Sequence, residues 1–283
     1  MNLSQRSQLL NNISLFALDS RIGKAALSVK GTSTRMGERV SLKAGYSPVI
    51  MDYRYYQKGD AVKDIDWKLS ARTEKLFVKI REGYRQTEFV IVPDGSESMR
   101  TCYNDGVSKF TTALTLAYIA GRSALKSRDR VYVLYGGKKL RAETEFALLD
   151  LLMDIETQKA ENGFWETAVQ SSSNVFIFSD FFIETELLSE YLKAISRNTK
   201  NIFLLAIHDP FEQNFNFNGR YRFLDSESEA SLLSETRRLN ARYHHLYNEH
   251  YQAVLRTGKS FGARFGKAVT TEDPYNAFIK AVS

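Results

Sequence analysis

Four short apolar runs mark the chain after its first third: Phe89 to Val92, Val131 to Tyr135, Val175 to Phe178 and Ile202 to Ile207. Each is rich in β-branched and aromatic residues and unbroken by charge, the pattern of a strand buried on both faces. Between them the spacing becomes helical. Ser108 to Lys126 places Phe110, Ala113, Leu114, Ala117, Gly121, Ala124 and Leu125 on one face. Thr144 to Thr157 turns in Phe146, Leu148, Leu149, Leu152, Met153 and Ile155, and Glu186 to Ser196 turns in Leu187, Leu188, Tyr191, Leu192 and Ile195. Strands alternating with helices require parallel crossovers, so the pattern predicts an α/β fold built on a doubly wound, mainly parallel sheet. Such sheets bind ligands beyond the carboxyl ends of their strands.

The flanks read differently. Apolar positions at helical spacing over residues 1 to 30 predict one or two helices, and Gly31 to Gly37 reads as a loop. From Glu38 to Arg85 short apolar stretches, Val49 to Met51 and Leu76 to Ile80, lie among charged and turn-forming residues such as Lys58-Gly59-Asp60, which predicts a strand-rich subdomain. The expected organisation is therefore an N-terminal extension of helices and strands over residues 1–86 and an α/β domain over 87–283. Beyond Ile207, residues 208 to 221 read as loop. Ser226-Glu227-Ser228-Glu229 reads as a capping box opening a long helix with the stripe Leu232, Thr236, Leu239, Tyr243, Leu246, Tyr247, His250 and Val254, with Gly258 as its stop. A strand over Ala263 to Val269 and a helix over Tyr275 to Val282 complete the pattern.

Composition narrows the function classes. One cysteine, Cys102, excludes an intrachain disulfide framework and, beside 4 histidines, a zinc cluster of the Cys/His kind. No window approaches the ~18 apolar residues of a membrane-spanning helix, and the chain reads as a cytoplasmic protein. Residues 1–86 hold 16 Lys and Arg against 8 Asp and Glu, whereas the remaining residues hold 23 against 25. An excess of that kind suits either an anionic partner or a solvated basic face, and its alternation with Asp and aromatic residues favours the face.

The chemistry concentrates where the first buried run ends. Asp94-Gly95-Ser96-Glu97-Ser98, D-x-S-x-S, offers a carboxylate and two hydroxyls at alternate positions of a loop leaving a strand, a set of hard oxygens suited to Mg²⁺, with Mn²⁺ or Ca²⁺ as alternatives. Ser179-Asp180 ends another strand in the same way. The bland alternative is a helix N-cap cluster. A second dense segment, Tyr53 to Thr73, holds Arg54, Asp60, Asp64, Asp66, Trp67 and Arg72. It reads either as a general acid/base pair or, by preference, as a corner in which Arg54 and Arg72 clamp carboxylates and Trp67 anchors the subdomain. His244, His245 and His250 read as packing and surface residues of the long helix.

Together these motifs carry a family likeness. R-x-Y-x-x-G-D-x-x-x-x-I-D-W-x-x-S-A-R-T over Arg54 to Thr73, followed by D-x-S-x-S-M and later by Ser108-Lys109-Phe110, Asp129-Arg130-Val131 and Phe178-Ser179-Asp180-Phe181, resembles the bacterial domain of unknown function 58 family. The resemblance implies a von Willebrand factor A-like fold whose metal-ion-dependent adhesion site corresponds to Asp94, Ser96, Ser98 and Asp180, with a partner's carboxylate completing the coordination. The family pattern adds a third-loop threonine. Here the candidate is Thr167, which stands later than that register. The motif residues Arg54, Tyr56, Gly59, Asp60, Asp66, Trp67, Arg72 and Thr73 are expected to be structural or partner-binding, and a MoxR-type AAA+ ATPase is the partner implied. The expectation is a non-catalytic, protein-binding adaptor. Its alternatives are a metal-dependent phosphoester hydrolase, disfavoured because no lysine or histidine reads as standing at a strand end, and a nucleic-acid-binding protein acting through the basic first third.

Overall fold

A computed structural model describes residues 50–81, 87–103, 106–157, 173–199, 201–215, 220–224 and 231–282. They belong to two compact units, 50–81 and 87–282. The helices expected over residues 1 to 30 and the loop at 31–37 lie outside the described residues.

In the smaller unit β1 (Ile50–Tyr55) pairs antiparallel with β2 (Phe77–Arg81), and the chain between them forms a 3-10 turn over Val62–Asp64 and the helix α1 (Trp67–Thr73). Asp66 starts α1 by accepting from the Leu69 amide at 3.0 Å, and Glu74, left-handed at φ 54°, ends it. Ile65 bridges to Val78, and both are buried.

The larger unit is a three-layer α/β sandwich. Its elements run β3 (Glu88–Pro93), α2 (Glu97–Arg100), α3 (Lys109–Lys126), β4 (Arg130–Tyr135), β5 (Lys138–Ala142), α4 (Glu145–Thr157), β6 (Asn174–Ser179), α5 (Thr185–Ser196), β7 (Asn201–His208), α6 (Pro210–Asn214), β8 (Arg220–Leu224), β9 (Ser231–Glu235), α7 (Thr236–Ser260), β10 (Arg264–Val269) and α8 (Pro274–Val282). The sheet order is β10-β7-β6-β3-β4-β5, parallel throughout except for β5. The predicted doubly wound, Rossmann-like sheet is present. Leaving aside the antiparallel edge, the first two parallel strands are β3 and β4, and the chain then returns to the other side of β3 to lay down β6, β7 and β10. The order therefore reverses between β3 and β6, and that switch point is where open α/β sheets form their ligand crevice.

Helices cover both faces. Leu188, Leu192 and Ile195 of α5 and Val254 of α7 share a buried cluster with Val90, Val92, Val175, Ile177, Ile202 and Leu204. On the other face α3 is buried all round, from Lys109 to Ala124, because α4 and α8 cover the side turned away from the sheet. Gly121 permits that closeness: a Cβ there would stand 2.8 Å from Ile91 and 2.6 Å from Leu148.

Several local expectations are corrected. β5 was not expected; it returns through Gly136-Gly137, both at positive φ, the geometry of a two-residue hairpin turn. The β8–β9 hairpin occupies part of the stretch read as loop and long helix, so α7 begins at Thr236. That helix passes Gly258, where a Cβ would stand 2.9 Å from Leu204, and stops at Gly262, whose φ is +72°. The Ala263 amide donates to Gly258 O and the Gly262 amide to Lys259 O, a Schellman stop. Phe146, expected inward, is 79% exposed.

Candidate functional site

β3 and β6 end side by side, and their last residues are tied across the switch point. The Asp94 amide donates to Phe178 O at 2.9 Å, and the Ser179 hydroxyl donates to Asp94 Oδ2 at 2.5 Å. Asp94 Oδ1 accepts from the Ser96 amide at 2.9 Å, which folds the loop back over the strand end. Ser96 stands at the N-cap of α2 but its side chain makes no capping hydrogen bond. Its hydroxyl oxygen lies instead 3.1 Å from that of Ser98. The N-cap alternative does not describe this serine.

Asp180 is oriented by strain. Phe181 follows it at φ +56°, unusual for a bulky residue, and is held there at both ends: its amide donates to Ser179 Oγ at 2.8 Å, and its carbonyl accepts from His250 Nε2 at 2.7 Å. One Asp180 oxygen accepts from the Phe182 amide at 3.1 Å, and the other accepts from the Lys109 ammonium at 2.8 Å. Lys109, first residue of α3 and 1% exposed at its side chain, also donates to both oxygens of Glu212 on α6, at 2.6 and 2.8 Å. Tyr103 donates to the same glutamate at 3.2 Å.

Burial and the neighbouring Asp180 carboxylate push the Asp94 carboxyl above the usual range, against the pull of Ser179 and Ser96. Burial disfavours the Lys109 charge, but Asp180 and Glu212 together outweigh it and hold the ammonium above the ordinary lysine value. His208, the last residue of β7, is buried with Nδ1 on Tyr247 Oη and Nε2 without a hydrogen-bond partner among the described residues. Burial first, and then Lys267, lower it to about 4.

The donor set suits a hard cation. Oxygens on neighbouring positions of an octahedral Mg²⁺, each at about 2.1 Å, lie ~3 Å apart, close to the Ser96–Ser98 spacing. Among the described residues no group of three or more His, Cys, Asp or Glu side chains could hold a metal, so a cation here depends on hydroxyls together with carboxylates. Ser96, Ser98 and Asp94 would hold it, with Asp180 across the crevice.

A family model described as protein of unknown function DUF58 matches residues 52–253. The chain belongs to the DUF58 family. No curated protein and no solved structure matches it. The DUF58 match takes in the Tyr53 to Thr73 motif, the strand-end loop and Asp180, and stops within α7, before β10 and α8. Thr167 falls inside the match but outside the described residues. Among the described residues of this DUF58 protein, no helix is long and apolar enough to cross a membrane.

In the other DUF58 motif the hydrogen bonds among the described residues are local. Arg54 clamps Asp60 through its two terminal guanidinium nitrogens, at 2.7 and 2.5 Å, and Asp60 also accepts from the Gln57 amide. Asp66 caps α1 and lies 3.4 Å from Lys79. Hydrogen bonds from Arg54 and from the Leu69 amide, respectively, hold the Asp60 and Asp66 carboxyls below the usual range, the wrong direction for a general acid at neutral pH. Gly59 turns at φ +109°, the Tyr56 amide donates to Leu76 O, and Thr73 donates to Leu69 O. Two expectations fail here. Arg72 pairs with no carboxylate among the described residues, and Trp67 is 61% exposed, so it is no buried anchor.

Sequence reasoning singles out Asp94, Ser96, Ser98 and Asp180, with Ser179 beside it, but assigns no part in the site to Lys109, Glu212 or His250 around them. It also held that no lysine or histidine stands at a strand end. Lys109 sits against Asp180 at the end of β6 and His208 ends β7. The detectable signal was Lys109 itself, a cation at a helix N-terminus where the helix dipole opposes it.

Proposed function

We propose that this DUF58 protein is a non-catalytic binding adaptor, and that the loop Asp94 to Ser98 engages a protein partner through a divalent cation, Mg²⁺ by preference. The observation that carries this reading is the Ser96 and Ser98 hydroxyls 3.1 Å apart beside Asp94 at the β3/β6 switch point, with Ser96 making no side-chain capping hydrogen bond to α2. Bound there, the cation would supply an open coordination position for a carboxylate of the partner. Asp94 would balance its charge, and the Ser179 hydroxyl and Ser96 amide hold that carboxylate in place. By family resemblance the proposed partner is a MoxR-type AAA+ ATPase.

The test is capture of a purified MoxR-type ATPase from the same cell by the immobilised chain, in Mg²⁺ and then in EDTA. Capture in Mg²⁺ that is lost in EDTA and in Asp94→Ala supports the reading. Capture indifferent to both contradicts it. A phosphoester hydrolase is the second reading, since Lys109 and His208 do stand at strand ends. Lys109, however, is already neutralised by Asp180 and Glu212. Turnover of p-nitrophenyl phosphate that disappears in Asp94→Ala would favour the enzyme over the adaptor.

A further inference from the structure

The Lys109 ammonium occupies a place that a metal would contest. Its three donors are fully used on Asp180 Oδ2 and the two oxygens of Glu212, and it is buried with them. The Asp180 carboxylate is held where it stands, with the Phe182 amide on its other oxygen and the Phe181 kink fastened by Ser179 and His250, so a cation that reaches Asp180 must take the oxygen that Lys109 holds. Lys109, by contrast, has a flexible four-carbon stem and donates two of its three hydrogen bonds to Glu212 alone. It can give up Asp180 and stay paired.

We infer that the Lys109 ammonium is a resident cation that competes with a divalent metal for Asp180, and that it thereby sets the metal affinity of the strand-end loop. This rests on the cation reading of the Asp94 to Ser98 loop. When a cation on the loop takes Asp180, directly or through water, Lys109 retreats onto Glu212, which then balances its charge alone. With no metal, the ammonium keeps Asp180 from standing unpaired beside Asp94, a like charge in a buried crevice. Asp94, Asp180 and Glu212, when ionised, outweigh the single ammonium by two charges, the deficit a divalent ion fills.

The experiment is a Mn²⁺ titration of the full chain, read by the electron paramagnetic resonance signal of free Mn²⁺. Wild type is compared with Lys109→Met, Glu212→Gln, Asp180→Asn and the Lys109→Met/Asp180→Asn pair. Lys109→Met should tighten Mn²⁺ about tenfold or more, because a like charge has left the site and Asp180 is free. Glu212→Gln should weaken it, since the ammonium then depends on Asp180 alone, and this variant carries the test if Lys109→Met does not fold. In the Asp180→Asn background the Lys109→Met gain should fall to about twofold or less, the coupling expected of two residues acting through one contact. An undiminished gain would mean that Lys109 acts only as a distant charge, and would overturn the inference. So would a Lys109→Met protein that binds no tighter, or a Glu212→Gln protein that does not weaken. Binding by no variant, Lys109→Met included, would overturn the cation reading and this inference with it, whereas equal binding by all would leave that reading standing and defeat the inference alone.

Discussion

Two regions of this DUF58 protein each hold a pair of aspartates, Asp60 and Asp66 in one and Asp94 and Asp180 in the other, yet their chemistry is opposite. In the hairpin unit Asp60 and Asp66 each answer a local need: one clamps Arg54 six residues away, the other caps the helix it precedes. At the β3/β6 switch point Asp94 and Asp180 are buried, feel one another's charge, and are held by residues from distant parts of the chain. Exposed local pairs lie in high dielectric and add little, whereas buried groups must be fully paired or are costly. A motif rich in charge is therefore no mark of a site. What marks one is buried charge whose compensation comes from several elements at once.

That contrast can be broken or sharpened by experiment. The largest effect is expected for Ser179→Ala, which leaves Asp94 Oδ2 and the Phe181 amide without their buried partner and should cost about 2–5 kcal/mol in chemical denaturation. A loss no larger than that of an exposed substitution would show that the crevice is not tightly organised. Next comes the acid limb of stability. Folded His208 stays neutral down to about pH 4, while an unfolded histidine takes up its proton near 6.5, so between these values the unfolded chain binds more protons. The contribution is complete above about pH 6.5 and is lost as pH falls toward 4. It amounts to roughly 3 kcal/mol, and His208→Gln should flatten that limb. Asp66→Ala should lower the melting temperature by a smaller amount, through loss of the α1 cap. Arg54→Gln should do least, because its clamp on Asp60 is open to solvent.

Much of the sheet could be read directly. β3, β4, β6 and β7 are covered on both faces, so their sequences are continuous apolar runs that no surface pattern imitates. β5 escaped because it is an edge strand, Lys-Lys-Leu-Arg-Ala, with most of its side chains partly exposed. Its turn, Gly136-Gly137, was the available signal. The stop of α7 was misplaced for a related reason: glycine serves two ends, and Gly258 is small so that the helix can lie against Leu204, whereas Gly262 supplies the left-handed residue. At the site, the alternation of oxygens in D-x-S-x-S is a local pattern and was legible. Lys109 was legible only as a lysine at a helix N-terminus; its pairing with Asp180 and Glu212 was not, since the three come together only through the crossover topology, at separations that no spacing rule reports.

The central claim is that the loop after β3 holds a divalent cation through its two serine hydroxyls. Mn²⁺ titration of wild type against Ser96→Ala/Ser98→Ala, followed by electron paramagnetic resonance, tests it most directly. The account predicts one site in wild type and its loss, or a weakening of about a hundredfold, in the double variant. Wild-type binding unchanged in the variant, or no binding to either protein, would contradict it.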